Sequence, residues 1–481
     1  MKDNRTIFFI IGLLLAAVAG GMLLPALADL ASCHHDWQVF VASALGTGFI
    51  AGALILTNRG DLPPLSVKQA FLLTSLSWLA LTGFAALPFA FSELDLSYTD
   101  AFFEAMSGLT TTGATILTGL DNAPPGILLW RALLQWFGGI GIIVMAISVL
   151  PMLNVGGMQL FRLESSDTSE KILPRTAQFS GSITRLYFTI TLACVVAYSL
   201  AGMSLFDAVA HAMTTIATGG FSTRDGSLGA FDPHVAMVAV VFMLLSSLPF
   251  VAYLQLVNRK FDKFLQDEQI RAFFFVALSA TAAMIIYQWA MEIDAPGGAF
   301  LAAAFNITSI LTGTGYATTD YGAWGSFSVA LFFVLTFIGG CAGSTSCGLK
   351  IFRLQVIVKS GWRYIRQLSL PNGVFVVRYN GRLLDDSVAN SVIAFVLIFI
   401  LSFSGVAIAL SLMGLAPITA LSAAAAAIAN VGPGLGPDIG PSGTYAGLPD
   451  AAKWVLCFGM LLGRLEFLTI LVMFAPSFWR R

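Results

Sequence analysis

The chain is 481 residues long, 57% hydrophobic and only 11% charged, and its 25 Lys and Arg nearly balance 26 Asp and Glu. Globular domains carry about 25% charged residues, so a water-soluble chain of this length could not cover its surface. That argues against soluble enzymes and nucleic-acid binders. With a mean hydropathy of +0.83 and 46 glycines, the chain reads as membrane helices interrupted by an unusual number of small residues.

A bilayer core takes about 20 apolar residues per helix. Runs of adequate length occur at Thr6–Ala28, Trp37–Asn58, Gln69–Ser92, Ala132–Phe161, Leu186–Phe206, Val235–Asn258 and Ala272–Met291. Three more lie at Tyr321–Leu349, from Ser387 toward Met413, and from Trp454 to the C-terminus, making ten predicted crossings. The first follows Lys2 and Arg5 and ends in Ala26-Leu27-Ala28, the layout of a signal peptide. It exceeds the roughly 7–15 residues of a signal core and is expected to be a retained helix.

With the N-terminus inside, the inner segments hold 21 of the 25 Lys and Arg, leaving Arg131, Arg224, Lys453 and Arg464. Cytoplasmic loops carry such an excess, so both termini are expected in the cytoplasm. Asp100, Glu104, Asp121, Asp207, Asp225, Glu292, Asp294, Asp320, Asp438 and Asp450 fall outside. Singly each is explained by solvation; together they would raise the local concentration of cations. The five cysteines (Cys33, Cys194, Cys341, Cys347 and Cys457) are odd in number and lack metal-site spacing.

An internal repeat occupies the outer segments. Asp100-Ala-Phe-Phe-Glu-Ala-Met-Ser-Gly-Leu-Thr-Thr-Thr-Gly113 aligns without a gap on Asp207-Ala-Val-Ala-His-Ala-Met-Thr-Thr-Ile-Ala-Thr-Gly-Gly220. Two looser blocks, 302–315 and 421–434, sit in the same topological slot. Each reads as a helix too short to span the membrane, followed by an extended Thr/Gly segment that returns outward. Irregular backbone at membrane depth is tolerated only where protein buries it or it lines a watery cavity. Four such segments around one axis would make a ring of carbonyl oxygens able to replace an ion's hydration shell. The predicted fold is thus an all-α membrane protein with two N-terminal helices and four helix–pore-hairpin–helix repeats around a central ion pathway. The units are 1–65, 66–165, 166–262, 263–365 and 366–481.

These residues resemble the Trk/Ktr/HKT superfamily of cation translocators, and within it the bacterial TrkH and TrkG potassium-uptake branch. The carriers are Thr110-Thr-Thr-Gly113-Ala-Thr, Ala217-Thr-Gly-Gly220-Phe-Ser-Thr, Thr312-Gly-Thr-Gly315-Tyr-Ala-Thr and Asn430-Val-Gly-Pro-Gly434-Leu-Gly. Gly339-Gly-Cys-Ala-Gly-Ser-Thr-Ser-Cys-Gly-Leu-Lys350 and Leu462-Gly-Arg464-Leu-Glu466 complete the match, which covers essentially the whole chain. The resemblance implies a potassium filter with one glycine per repeat, Gly113, Gly220, Gly315 and Gly434. Its lining would be Thr111, Thr112 and Gly113; Thr218, Gly219 and Gly220; Gly313, Thr314 and Gly315; and Val431, Gly432, Pro433 and Gly434. Four glycines, with no serine at the first position, imply potassium preference.

The resemblance also implies an intramembrane gate made of Gly339, Gly340, Cys341, Ala342, Gly343, Ser344, Thr345, Ser346, Cys347 and Gly348. This run is rich enough in Gly and Ser to break a helix. It lacks the Gly-Lys-[Ser/Thr] ending of a phosphate-binding loop, because Gly348 precedes Leu349-Lys350. Arg464, costly inside a bilayer unless it faces a cavity or partner, is implied to sit by the pore below the filter. The bland reading is an arginine satisfied by neighbouring backbone carbonyls, and the two are compatible.

The basic stretch Lys350–Arg382, with seven Lys and Arg, suits anionic lipid or an acidic partner. The resemblance implies a homodimer and a cytosolic TrkA-type nucleotide-binding regulatory subunit, with Arg162–Arg185 as a second contact. His34-His35-Asp36 reads as solvated loop, and His211 and Asn306, in the slot of Glu104, as packing behind the filter. The expected function is channel-like potassium uptake across the bacterial inner membrane, with the potassium ion as cargo and no enzymatic activity. The competing class is a proton- or sodium-coupled potassium secondary transporter, for which Glu466 is the obvious coupling carboxylate.

Overall fold

A computed structural model describes residues 4–148, 172–293 and 298–480, apart from 61, 62, 64, 258 and 260. Seven helices among them are long and apolar enough to cross a membrane: Arg5–Ala31, Trp37–Thr57, Val67–Phe91 (which continues past a short irregularity at Ala86), Pro125–Ile143, Gly181–Leu200, Glu268–Ala290 and Asp386–Leu412. Each coincides with a run expected to cross. The last part of the Ala132–Phe161 run and the residues from Arg162 to Lys171 lie outside the described residues.

The other three expected crossings each contain a break. Pro233–Ser246 and Phe250–Val257 meet at 91°, and Asp450–Arg464 meets Leu468–Phe474 at 106°. Counting each bent pair as one span gives up to nine crossings. Pro249, which brings no N–H and clashes with the preceding turn, makes the first break. The second falls where Glu466 and Phe467 take φ of 61° and 31°. Arg464 is therefore the last residue of its helix, not a residue midway along a continuous one. In the run Tyr321–Leu349 the helix covers only Ser326–Phe337, 12 residues, and Gly339–Gly348 is non-helical.

Four further helices are too short to span: Tyr98–Leu109, Leu205–Ile216, Ala299–Leu311 and Pro417–Ala429, with 12, 12, 13 and 13 residues. The repeated aspartates have a local role here. Ser97 and Ser204 accept from the backbone N–H of Asp100 and Asp207, and their hydroxyls donate to those carboxylates at 2.9 and 2.8 Å. These are reciprocal caps of the Ser-x-x-acid kind, which fix where both short helices start.

Among the described residues the regular structure is helical apart from one two-stranded hairpin and an isolated bridge between Ile338 and Leu349, neither of which the sequence announced. Arg378–Tyr379 pairs antiparallel with Arg382–Leu383 across Asn380-Gly381, both at positive φ (48° and 76°). Asn-Gly favours that left-handed two-residue turn. The hairpin docks on the start of helix Glu268–Ala290, where Glu268 N–H donates to Asn380 Oδ1 at 2.9 Å and Lys359 pairs with the Glu268 carboxylate.

The first short helix is tied to its neighbours by an ion pair with almost no exposure. Arg131, on the helix Pro125–Ser148, meets Glu104 at 2.7 Å, and the two side chains are 1% and 0% exposed. Removing one partner of such a pair costs about 3–5 kcal/mol because the other charge stays buried. Arg131→Met should therefore lower the thermal midpoint of detergent-solubilised protein markedly, and adding Glu104→Gln should restore much of the loss. Equal midpoints for the single and double variants would contradict this.

Candidate ion pathway

The non-helical segments that follow the four short helices share one backbone device. Thr111, Thr218, Gly313 and Asn430 all turn left-handed, with φ of 51°, 51°, 77° and 52°. In three of them the next residue's N–H reaches back into the helix, Thr112 N to Ser107 O, Gly219 N to Thr214 O and Val431 N to Ala426 O, each at 2.9 Å; in the third block Gly315 N does so, to Ser309 O at 3.2 Å. Two residues beyond each left-handed position stands a glycine: Gly113, Gly220, Gly315 and Gly432.

Those four glycines meet edge to edge. A Cβ on Gly113 would run into Gly219 O, and one on Gly220 into Thr314 O. On Gly315 it would lie 3.0 Å from Gly432 N, and on Gly432 2.7 Å from Gly113 O. The contacts run first to second, second to third, third to fourth and fourth back to first, closing a ring. At Gly113, with φ of +85° and a carbonyl where a side chain would begin, no other residue type fits without moving its neighbour.

Gly434, the fourth glycine expected from sequence, lies outside this ring. Its N–H donates to Ile439 O at 2.7 Å and its nearest non-bonded neighbour is the Ile439 side chain. Measured from the left-handed residue, the fourth block is displaced by two positions relative to the alignment at 421–434. Pro433 packs beside Gly315, and Thr111, Thr112, Thr218, Gly219, Gly313, Thr314 and Val431 lie in the buried approach to the ring.

Side chains from outside the blocks hold these segments. Gln135 donates to Gly219 O at 2.6 Å and accepts from Phe221 N at 3.1 Å. Tyr445 donates from its hydroxyl to Gly432 O at 3.0 Å and from its N–H to Thr115 O at 2.9 Å. Asn430 donates to Thr112 Oγ1 at 3.0 Å and Met460 O at 2.8 Å. The slot of Glu104 is a strut in three blocks. Glu104 accepts from Thr115 and Ile116, His211 meets Ser222 Oγ at 2.9 Å, and Asn306 donates to Thr318 Oγ1 at 2.9 Å. Gln135 and Tyr445 were not singled out from sequence, and Asn430 was named only as the start of its filter motif, since nothing in a lone polar residue says which backbone it meets.

Beneath the ring lies the loop Gly339–Gly348. Its start and end are stitched by Gly339 N to Leu349 O and Leu349 N to Phe337 O, both 2.9 Å. The bend at Pro249 frees the carbonyls that the loop needs. Cys341 N donates to Ser247 O at 3.0 Å, Thr345 Oγ1 to Ser246 O at 3.1 Å, and Phe250 N to Gly343 O at 2.9 Å. Ser346 Oγ donates to Thr312 O at 2.6 Å, and Cys347 Sγ stands 3.8 Å from Thr111 Oγ1. Gly340, Ala342, Ser344 and Gly348 complete the loop, with Ala342 N held by Gln269 Oε1 at 2.5 Å and Ser344 Oγ by Cys341 O at 2.6 Å.

Arg464 is 2% exposed and points at this loop. Its guanidinium donates to Thr345 O at 3.3 Å, Cys347 Sγ at 2.7 Å and Gly138 O at 2.9 Å. Lys350 donates to Ser346 O, and Arg353 pairs with Glu466 while lying 3.6 Å over the ring of Phe395. These groups surround a cavity of about 30 Å³ lined in part by Cys347, Lys350, Arg464 and Glu466. That is room for about one water molecule. Glu466, the candidate coupling carboxylate, is thus already engaged by a guanidinium.

Among the described residues, no group of three or more His, Cys, Asp or Glu side chains could hold a metal ion. The expected outer carboxylates are largely engaged. Asp100 meets Lys453 at 2.5 Å, Asp207 meets Arg224 at 3.6 Å, Asp225 accepts from Leu120 N at 3.1 Å, and Asp438 accepts from Thr419 at 2.9 Å.

Comparison with known proteins agrees over nearly the full length. The family model described as TrkH, cation transport protein, matches residues 37–481. The Trk system potassium uptake protein TrkI of Halomonas elongata is 48% identical over 423 residues, 87% of this chain and 86% of the relative. The Trk system potassium uptake protein TrkH of Salmonella typhimurium is 38% identical over 482 residues, 99% of each chain. The crystal structure of the potassium transporter TrkH from Vibrio parahaemolyticus superposes with a TM-score of 0.92 at 36% identity, covering 100% of both chains. The chain is a multi-pass membrane protein and belongs to the TrkH family of cation transport proteins.

Proposed function

We propose that this protein takes up potassium through a channel-like pathway across the bacterial inner membrane. The single observation that carries the reading is the closed ring of four glycine-bearing segments, each at the C-terminal end of a short helix. Helix C-termini carry partial negative charge, and unpaired carbonyls at such a ring can stand in for water around a bare cation. Relatives named as potassium uptake proteins supply the ion. In this reading Gly432, not Gly434, is the fourth filter glycine. The chain is ten crossings with both termini cytoplasmic, built from two leading helices and four repeats bounded at 1–65, 66–165, 166–262, 263–365 and 366–481.

The loop Gly339–Gly348 and Arg464 form the gate. Three cations, Lys350, Arg353 and Arg464, face one carboxylate, Glu466, around a space too small for a file of hydrated ions. A fixed positive charge on the pathway repels a cation strongly where water is scarce. A homodimer is the assembled form, and a cytosolic TrkA-type nucleotide-binding subunit together with anionic lipid meets the basic surface around helix Ile351–Ser369. Coupled transport is the second reading. The engagement of Glu466 by Arg353 speaks against it, because a coupling carboxylate must be able to exchange a proton or sodium.

Flux through proteoliposomes under an imposed voltage should follow the potassium gradient with or without a proton gradient; obligatory proton dependence would favour the coupled transporter. Gly432→Ala should reduce potassium flux about tenfold or more, the scale of about 1–3 kcal/mol for overpacking, whereas Gly434→Ala, whose Cβ would press on the buried Ile439 and not on another filter segment, should lose less flux than Gly432→Ala. The reverse order would return the fourth filter position to Gly434. Arg464→Ala should raise conductance severalfold in folded protein, and an unchanged or lower conductance would mark the arginine as purely structural.

A further inference from the structure

The second filter segment is gripped from behind by one carboxamide. Gln135 accepts from Phe221 N–H at 3.1 Å and donates to Gly219 O at 2.6 Å, so it spans Gly220 and fixes the peptide planes on both of its sides. Gly220 itself has φ of +77° and no side chain to resist rotation. In a trans peptide the C=O and the following N–H point in opposite directions. With the Phe221 N–H held toward the helix Pro125–Ser148, the Gly220 carbonyl is turned the other way, toward the space enclosed by the four segments. Phe221 is held a second time from the same helix: the Arg131 guanidinium lies 4.1 Å over its ring and donates to Ser222 O at 2.7 Å. Arg131 and Gln135 are four residues apart, one helical turn, and so share a face.

No such grip is repeated in the other blocks. Segment four is held by a phenol, with Tyr445 on Gly432 O. Segment three is held by a hydroxyl of its own short helix, with Ser309 Oγ donating to Tyr316 O at 2.6 Å. Segments two, three and four are thus held by three different side-chain arrangements.

We infer that Gln135 is a specificity-determining positioning residue, which aims the Gly220 carbonyl into the filter without itself touching the ion. This rests on the ring being the selectivity filter. Losing the hydrogen bond lets the Gly220–Phe221 peptide rotate and removes one carbonyl from the ring. Discrimination then suffers more than throughput, because a ring with a gap can hold a smaller or more hydrated cation.

The test is the potassium-to-sodium permeability ratio of the full chain in proteoliposomes, compared among Gln135→Met, Gln135→Glu and Gly113→Ser. Gln135→Met keeps length and loses both bonds, and its ratio should fall about tenfold, the equivalent of one hydrogen bond. Gln135→Glu keeps the acceptor for Phe221 N–H and has a donor for Gly219 O only when its carboxyl is protonated, so its ratio should rise toward the wild-type value as the pH is lowered. Gly113→Ser probes the ring directly and should lower the ratio whatever Gln135 does. A wild-type ratio in Gln135→Met with a lowered one in Gly113→Ser overturns the role of Gln135 and leaves the filter standing. Unchanged ratios in both overturn the filter itself. If Gln135→Met fails to fold, a Gln135→Glu ratio that stays as low as that of Gly113→Ser at every pH overturns the inference, and one that recovers on acidification supports it.

Discussion

Every unpaired backbone N–H or C=O at membrane depth must find a partner inside the protein, because hydrocarbon offers none. In this chain five stretches of irregular backbone run among the apolar helices: four segments after short helices and one ten-residue loop. Each is supplied by a neighbour that is itself irregular or unusually polar. Pro249 breaks a helix and releases carbonyls at Ser246 and Ser247, which the loop then uses. The left-handed turns at Thr111, Thr218, Gly313 and Asn430 fold the chain back on the last carbonyls of the short helices. Break and repair are local to one another.

One helix face does much of this work. On Pro125–Ser148, Arg131 braces Glu104 and Ser222, Gln135 grips Gly219 and Phe221, and the carbonyl of Gly138 receives Arg464. These positions follow at intervals of four and three residues, the spacing that keeps side chains on one stripe. The helix therefore contacts the outer strut, the ring and Arg464 in succession. Its apolar majority made it legible as a crossing; its few polar residues make it a scaffold.

The elements that could be read from sequence were those that repeat or that run long. The apolar runs, the short helices between them and the Gly/Ser loop all followed from residue type and spacing. The register of the fourth block did not. Ala423–Ala427 carries five identical methyl side chains that mark no helical phase, and Gly432, Gly434 and Gly436 offer three equivalent glycines within five residues. Only the backbone turn at Asn430 separates them. The two bends were hidden for a related reason: hydropathy stays high through Pro249 and through Glu466-Phe467, so a composition window runs across both. The four cations that violate the charge bias were also opaque. In the structure Arg131, Arg224 and Lys453 pair with Glu104, Asp207 and Asp100, and Arg464 meets the loop, so each exception has a partner that spacing could not reveal.

The pair between Lys453 and Asp100 joins residues 353 positions apart, and Asn430 and Tyr445 reach the first block across similar intervals. A ribosome makes Asp100 long before it makes these partners. Until the last quarter of the chain emerges, the first block has neither its outer cation nor the Asn430 carboxamide and Tyr445 backbone N–H that pin Thr112 and Thr115. The ring therefore closes only after the fourth block has been made, and a chain that ends before Asn430 lacks one of its four sides.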